Sequence, residues 1–169
     1  MSGTARKPGK RPRKPALSHV RADGSLRIVD TSAKPNTART ATAEALVRMA
    51  QAARRALKAG SLKKGDAFAA ARVAGILAAK RTAELIPLCH PLALNDIDVS
   101  IEFSGRDGVR ISCSASCIGP TGVEMEALVG AAIAALTIYD MCKAMDRGIT
   151  IESVRLLEKA GGASGRWRR

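Results

Sequence analysis

The charged residues at the two ends of one apolar run are those best suited to chemistry. Asp140 and Lys143 stand three residues apart, a spacing that places both side chains on one face of a helix. They form either a surface ion pair or an acid/base pair. Apolar neighbours favour the second interpretation, because desolvation lowers the pKa of a lysine and a nearby carboxylate can then exchange protons with it.

Two glutamates, Glu124 and Glu126, open the same run, and Glu126 precedes Asp140 by 14 residues. In a helix that spacing is about 21 Å, so one small pocket within a single chain cannot hold both ends. Three explanations are open. The glutamates simply favour a helix N-terminus, they lie in a bent segment before the helix, or a second subunit brings its opposite helix end close. The last explanation predicts a two-fold interface with an active site shared between chains.

His90 lies between Pro87 and Pro91, which exclude regular helix around it. It is either a hydrogen-bonded loop histidine or a general acid/base or phosphate contact. The cysteines do not have the spacing of a zinc site, so we interpret Cys113 and Cys117 as core thiols and expect no metal.

An α+β domain is predicted to position these residues. Alternating apolar positions predict strands over 38–47, 94–104, 109–118 and 149–157. Helices are predicted over 48–59, over 67–84 with Asp66 as N-cap, and from the two glutamates to near Gly148. This order is that of a ferredoxin-like split βαβ sandwich, an antiparallel sheet with helices on one face, with one extra helix. The long helix is uncharged in its middle, so we expect it to be buried on nearly all sides.

The basic charge is mostly a property of the chain ends. The net charge is +13, but residues 1–22 carry seven Lys or Arg and no acid, and residues 166–169 add three Arg. We therefore expect a disordered basic tail over 1–22, a single domain over 23–165 and a basic C-terminal tail over 166–169. No secretory signal or membrane-length apolar run is evident, so a cytoplasmic protein with reduced thiols is expected.

Two classes of function are disfavoured by what the sequence does not contain. Neither a P-loop nor a Gly-x-Gly-x-x-Gly motif occurs, which disfavours an ATP-driven or dinucleotide-binding enzyme. The main rival to an enzyme is a small RNA- or DNA-binding module. Its stacking platform is missing, however, because Phe103 is the only aromatic residue on a predicted strand.

Five segments together resemble a known family, the molybdenum cofactor biosynthesis protein C family, over about residues 26–165. They are Lys64-Gly65-Asp66, Ala78-Ala79-Lys80-Arg81-Thr82, Leu85-Ile86-Pro87-Leu88-Cys89-His90-Pro91-Leu92, Thr121-Gly122-Val123-Glu124-Met125-Glu126-Ala127-Leu128 and Ala135-Leu136-Thr137-Ile138-Tyr139-Asp140-Met141-Cys142-Lys143-Ala144. The segments are long and occur in the family's order, so the resemblance is specific.

The resemblance implies a cyclic pyranopterin monophosphate synthase. Such an enzyme converts 3′,8-cyclo-7,8-dihydroguanosine triphosphate, which a radical enzyme makes from GTP, into cyclic pyranopterin monophosphate and pyrophosphate. The family also implies a homohexamer, a trimer of dimers with sites at the dimer interface, and possible contact with the radical enzyme. It implies no metal or organic cofactor, and from the residues we expect no membrane contact and consider nucleic acid an unlikely partner.

Site residues follow from the same resemblance. Asp140 and Lys143 match the catalytic pair. The substrate-binding residues that it implies are Arg39, Lys64, Cys89, His90, Glu124, Met125, Glu126 and Lys159. Chemistry suggests that the pair shuttles protons, that the cations hold the triphosphate, and that the remaining polar residues orient the base. Ala163 stands where relatives often have lysine, so a phosphate contact there is absent from this chain.

Overall fold

The structure, a computed structural model, describes residues 19–21 and 23–169. The predicted disordered tail thus lies mostly outside the described residues. Its described part is a small hairpin, in which Val20 bridges Leu26 across a turn at Gly24 with φ of +82°.

Within the described residues, one antiparallel sheet and four helices form the fold. The elements are β1 Thr37–Arg48, α1 Gln51–Lys58, α2 Ala67–Lys80, α3 Thr82–Leu85, β2 Leu94–Ser104, β3 Gly108–Gly119, α4 Glu124–Cys142, β4 Thr150–Ala160 and β5 Trp167–Arg168. The strand order is β2-β3-β1-β4-β5, and every neighbouring pair is antiparallel. This confirms the predicted α+β fold with the split βαβ order.

Alternation in the two central strands builds the core. In β1, Ala41, Ala43, Ala45 and Val47 are at most 2% exposed, and in β3 Val109, Ile111 and Cys113 are fully buried. Because side chains alternate across a strand, all of these lie on the face that α4 covers. The predicted alternation of these two strands and the predicted core thiols, Cys113 and Cys117, are thus confirmed.

Small residues let the two long helices approach each other and the sheet. A methyl group on Gly75 would lie 2.9 Å from the Gly130 carbonyl oxygen, and one on Gly130 would lie 2.5 Å from Cys113 Sγ. Both distances are too short for ordinary contact. The alanine and glycine content of α2 and α4 is therefore a requirement of close packing.

Several boundaries differ from the sequence-based prediction. The predicted helix 67–84 is two helices, since Arg81 adopts a non-helical conformation between α2 and α3. The long helix ends at Cys142 and does not continue to near Gly148. The predicted basic C-terminal tail contains β5, in which Trp167 pairs with Lys159. The strand aromatics therefore include Trp167, which the sequence pattern missed.

Helix α4 is a core helix with one open side. By length and composition alone it could cross a membrane, with a mean hydropathy of 1.5, but half of that window is buried inside the fold. Leu136 on α4 is 51% exposed, and on the neighbouring α2 Val73 is 57% and Leu77 is 49% exposed. The expectation of burial on nearly all sides is therefore wrong for the single chain, which leaves apolar side chains of both helices in contact with solvent.

Candidate active site

Three charged residues meet at the C-terminal end of α4, and we call them the C-terminal cluster. Lys64 Nζ lies 2.6 Å from Asp140 Oδ2 and 2.9 Å from the Asp140 carbonyl oxygen, while Lys143 Nζ lies 2.8 Å from Asp140 Oδ1. The loop before α2 delivers Lys64. Gly65, at φ of +92°, turns this loop into the helix, and Asp66 caps it by accepting hydrogen bonds from the Phe68 and Ala69 amides.

The two lysines hold Asp140 as an anion. Their hydrogen bonds, that of Lys143 first and then that of Lys64, lower the pKa of Asp140 to about 2. The carboxylate in turn raises the pKa of Lys143 above its ordinary value. The prediction of a desolvated lysine with a lowered pKa is therefore wrong for the single chain, because both side chains are 52% exposed.

A second group of residues lies at the opposite end of α4. Glu124 is the first residue of the helix, and its Oε1 lies 2.8 Å from Lys159 Nζ, which β4 delivers. Glu126 follows two residues later and is only 4% exposed. Burial raises the pKa of Glu126, and the charge of Glu124 adds to the shift. A carboxyl group whose pKa is raised by burial keeps its proton to a higher pH than an exposed glutamate and is a candidate for proton transfer.

Arg39 marks a cleft at this end, which we call the arginine cleft. It encloses about 680 Å³ between Arg39, Lys159, Glu124 and residues 161–164 of the glycine-rich run 161–165. The Arg39 guanidinium donates to the carbonyls of Gly119 and Pro120, each at 3.3 Å. Gly162 packs so closely on that guanidinium that any side chain there would collide with it. The arrangement fixes a cation in a cleft that phosphate groups can enter.

His90 lines the second cleft, the histidine cleft, of about 260 Å³. Cys89, Met125 and Glu126 line it too, and Thr121, Gly122 and Glu124 belong to both clefts. His90 Nε2 lies 2.6 Å from the Val29 carbonyl oxygen. Because a carbonyl only accepts, Nε2 carries the proton and Nδ1 is left as an acceptor in the neutral ring.

Cys89 is a lining residue and is not suited to be a nucleophile. Burial raises the pKa of its thiol, and the charge of Glu126 raises it further. Since the thiolate is the reactive form, Cys89 remains a neutral contact at neutral pH.

The predicted site residues therefore form two groups that do not meet within one chain. Asp140, Lys143 and Lys64 form one, and the other seven lie around the two clefts. Glu124 and Glu126 both belong to the regular helix, so the alternative of a bent lead-in segment is wrong. About 21 Å of helix separates Glu126 from Asp140.

Two cleft residues escaped the sequence analysis. His19 lines the histidine cleft, and Lys34 lines both clefts. The basic and proline-rich composition of residues 1–22 placed His19 in a tail. The signal that points to structure there is Asp23-Gly24, a turn dipeptide between the apolar residues Val20 and Leu26.

The sequence model of the MoaC family matches residues 28–162. The match begins at the segment that supports His90, continues through both ends of α4 and finishes inside the glycine-rich run.

Proposed function

Since the chain belongs to the MoaC family, its role lies in molybdenum cofactor biosynthesis, and we propose that it is a cyclic pyranopterin monophosphate synthase. Its substrate would be 3′,8-cyclo-7,8-dihydroguanosine triphosphate, and its products cyclic pyranopterin monophosphate and pyrophosphate. Proteins of this family are soluble enzymes, and we place this reaction in the cytoplasm.

The observation that carries this proposal is the pair of adjoining clefts. The arginine cleft presents cations, which suit a triphosphate, because phosphate oxygens accept charge-assisted hydrogen bonds from guanidinium and ammonium groups. The histidine cleft presents acceptors, the Glu126 carboxyl and His90 Nδ1, which suit the N–H groups of a guanine-derived ring. One ligand with both parts would occupy both clefts through their shared wall at Thr121, Gly122 and Glu124.

A complete site would combine two chains. We propose that the C-terminal cluster of one chain faces the clefts of another, in a homohexamer built as a trimer of dimers. Two observations support this arrangement: the length of α4 between the groups, and the apolar residues of α2 and α4 that the single chain leaves exposed. A two-fold axis would place the N-terminal end of α4 from one chain beside the C-terminal end of α4 from the other, so each dimer would contain two such sites.

The roles follow from charge and position. Arg39, Lys159 and Lys64 would hold the triphosphate and stabilise the charge that develops as pyrophosphate leaves. His90, Glu124 and Glu126 would orient the base and assist proton transfer, with Cys89 and Met125 as lining contacts. Asp140 and Lys143 would act as the catalytic pair while the purine-derived ring opens. Their mutual ion pair must first be exchanged for contacts with substrate, because in the free chain both are fully charged.

A single-turnover assay tests the proposal. The purified protein would be mixed with the cyclic dihydro-GTP intermediate in buffer with a chelator, and release of pterin and pyrophosphate would be followed. Stoichiometric release of both, unaffected by the chelator, is expected. A folded oligomer that releases neither product would contradict the proposed reaction and leave the basic termini, with salt-dependent binding of nucleic acid, as the next function to test.

A further inference from the structure

The N-terminal hairpin forms part of the wall of the histidine cleft. His19 lines this cleft together with Val29, Thr31 and Lys34 of the same segment. Backbone hydrogen bonds fix the hairpin, with the Arg27 amide donating to the His19 carbonyl at 2.9 Å and the Arg21 amide donating to the Ser25 carbonyl at 2.9 Å. The segment is also joined to the site itself, because the Val29 carbonyl accepts the hydrogen bond from His90.

The two histidines of the cleft are held in opposite tautomers. His19 Nδ1 lies 3.3 Å from the Arg27 carbonyl oxygen, so Nδ1 carries the proton in the neutral ring. In His90 the proton is on Nε2, which donates to Val29. Nε2 of His19 makes no hydrogen bond within residues 19–21 and 23–169, and it is the nitrogen left to serve a ligand.

Acceptors therefore face the histidine cleft from several sides. His19, His90, Glu124 and Glu126 all line the cleft, and their hydrogen bonds leave Nε2 of His19 and Nδ1 of His90 as the ring nitrogens available to accept. Resting on the proposed function, we infer that His19 is a further substrate-contacting residue, whose Nε2 accepts a hydrogen bond from an N–H group of the guanine-derived ring. A guanine-type ring carries several such donors, and neutral imidazole nitrogen is a suitable acceptor for them.

Two isosteric substitutions separate this contact from a purely structural role. The amide of asparagine reaches the Nδ1 position and keeps the bond to Arg27, whereas the amide of glutamine reaches the Nε2 position and keeps the group that would meet the ligand. For His19→Asn we expect kcat/KM and the affinity for GTP, a non-reacting probe, to fall about tenfold, the effect of losing one hydrogen bond to an uncharged group. For His19→Gln we expect a smaller loss, and for both variants a melting temperature close to that of the unchanged protein.

The opposite ranking would overturn the inference. If His19 only secures the hairpin, His19→Asn behaves as the unchanged protein and His19→Gln is the weaker binder. GTP binding needs no turnover, so the result is independent of the proposed reaction. A protein that binds GTP in a His19-dependent way but releases no product refutes the reaction alone, whereas normal turnover by His19→Asn with unchanged GTP affinity refutes the His19 contact alone.

The tautomers can be observed directly. The chain contains two histidines, so a long-range proton–nitrogen NMR spectrum of the imidazole groups shows two patterns. We expect one Nδ1–H ring and one Nε2–H ring, assigned through His19→Asn, and a shift of the His19 Nε2 signal on addition of GTP. An Nε2–H tautomer at His19, or an Nε2 signal that GTP leaves unmoved, would contradict the contact.

Discussion

Two inactive variants should restore each other if opposite ends of α4 from two chains form one site. Asp140→Asn damages the C-terminal cluster, and Glu126→Gln damages the histidine cleft. A dimer with one copy of each variant contains two shared sites. One site collects both substitutions, and the other collects neither, because its cluster comes from the Glu126→Gln chain and its cleft from the Asp140→Asn chain.

The size of the restored activity follows from this pairing. With random assembly of equal amounts of the two chains, about half of the dimers are mixed, and each mixed dimer holds one intact site of two. The mixture should therefore show about a quarter of the unchanged protein's activity per chain. The assay is co-expression of the two variants in equal amounts, quantification of each by mass spectrometry, and measurement of pyrophosphate release.

A matched control uses two substitutions at the same end. Lys64 and Asp140 belong to one cluster, 2.6 Å apart. Mixed dimers of Lys64→Met and Asp140→Asn therefore damage the cluster in both sites and should remain inactive. If the pair from opposite ends is no more active than this control, the site does not combine two chains, and the argument from the length of α4 fails.

Three further substitutions test local features of the site and core. Burial raises the pKa of Glu126 above its ordinary 4.5, so the folded protein loses stability as pH rises through this range and Glu126 becomes charged. Glu126→Gln, which stays neutral, should have the melting temperature of the unchanged protein at pH 4 and a higher one at pH 8. A difference between the two proteins that does not vary with pH would contradict this. Gly162→Ala should raise KM by displacing the guanidinium of the arginine cleft, whereas Gly165→Ala, also at positive φ but with nothing within 4 Å of an added methyl group, should leave KM unchanged; equal KM values would refute the steric argument. Gly130→Ala, whose methyl group would lie 2.5 Å from Cys113 Sγ, should lower the free energy of unfolding in urea by about 1–3 kcal/mol. Adding Cys113→Ala to the same chain should recover part of this loss. A Gly130→Ala variant as stable as the unchanged protein would contradict the packing argument.

Local pattern was sufficient to predict the four long strands and the two layers. Alternation at Ala41–Val47 and Val109–Cys117 reports burial directly, because only one face of these strands meets the helices. The short β5 has no comparable signal. Its two residues gain their hydrogen bonds from the free edge of β4, and that edge depends on tertiary structure. The break at Arg81 is hidden for the same reason, since neighbouring residues favour helix on both sides.

From the residues alone, the site was predictable only where the residues that contact each other lie close together in the sequence. The spacing of Asp140 and Lys143 is enough to predict their contact. Lys64 lies 76 residues before Asp140, so no spacing rule joins them, and the resemblance alone suggested it. The wrong pKa direction for Lys143 has a physical cause: an apolar helix indicates burial of its middle, but the side chains of Asp140 and Lys143 at its end are half exposed.

The acids at the two ends of α4 differ in protonation because they differ in environment. A carboxylate is stabilised near a helix N-terminus and destabilised near a C-terminus. Yet burial raises the pKa of Glu126 at the favourable end, while two lysines lower that of Asp140 to about 2 at the unfavourable end. Environments that push two pKa values apart assign an acid and an anion. Glu126 is thus the carboxyl group that burial keeps protonated to a higher pH than an exposed glutamate. Asp140 is the anion that holds Lys64 and Lys143 in place until contacts with substrate replace these ion pairs.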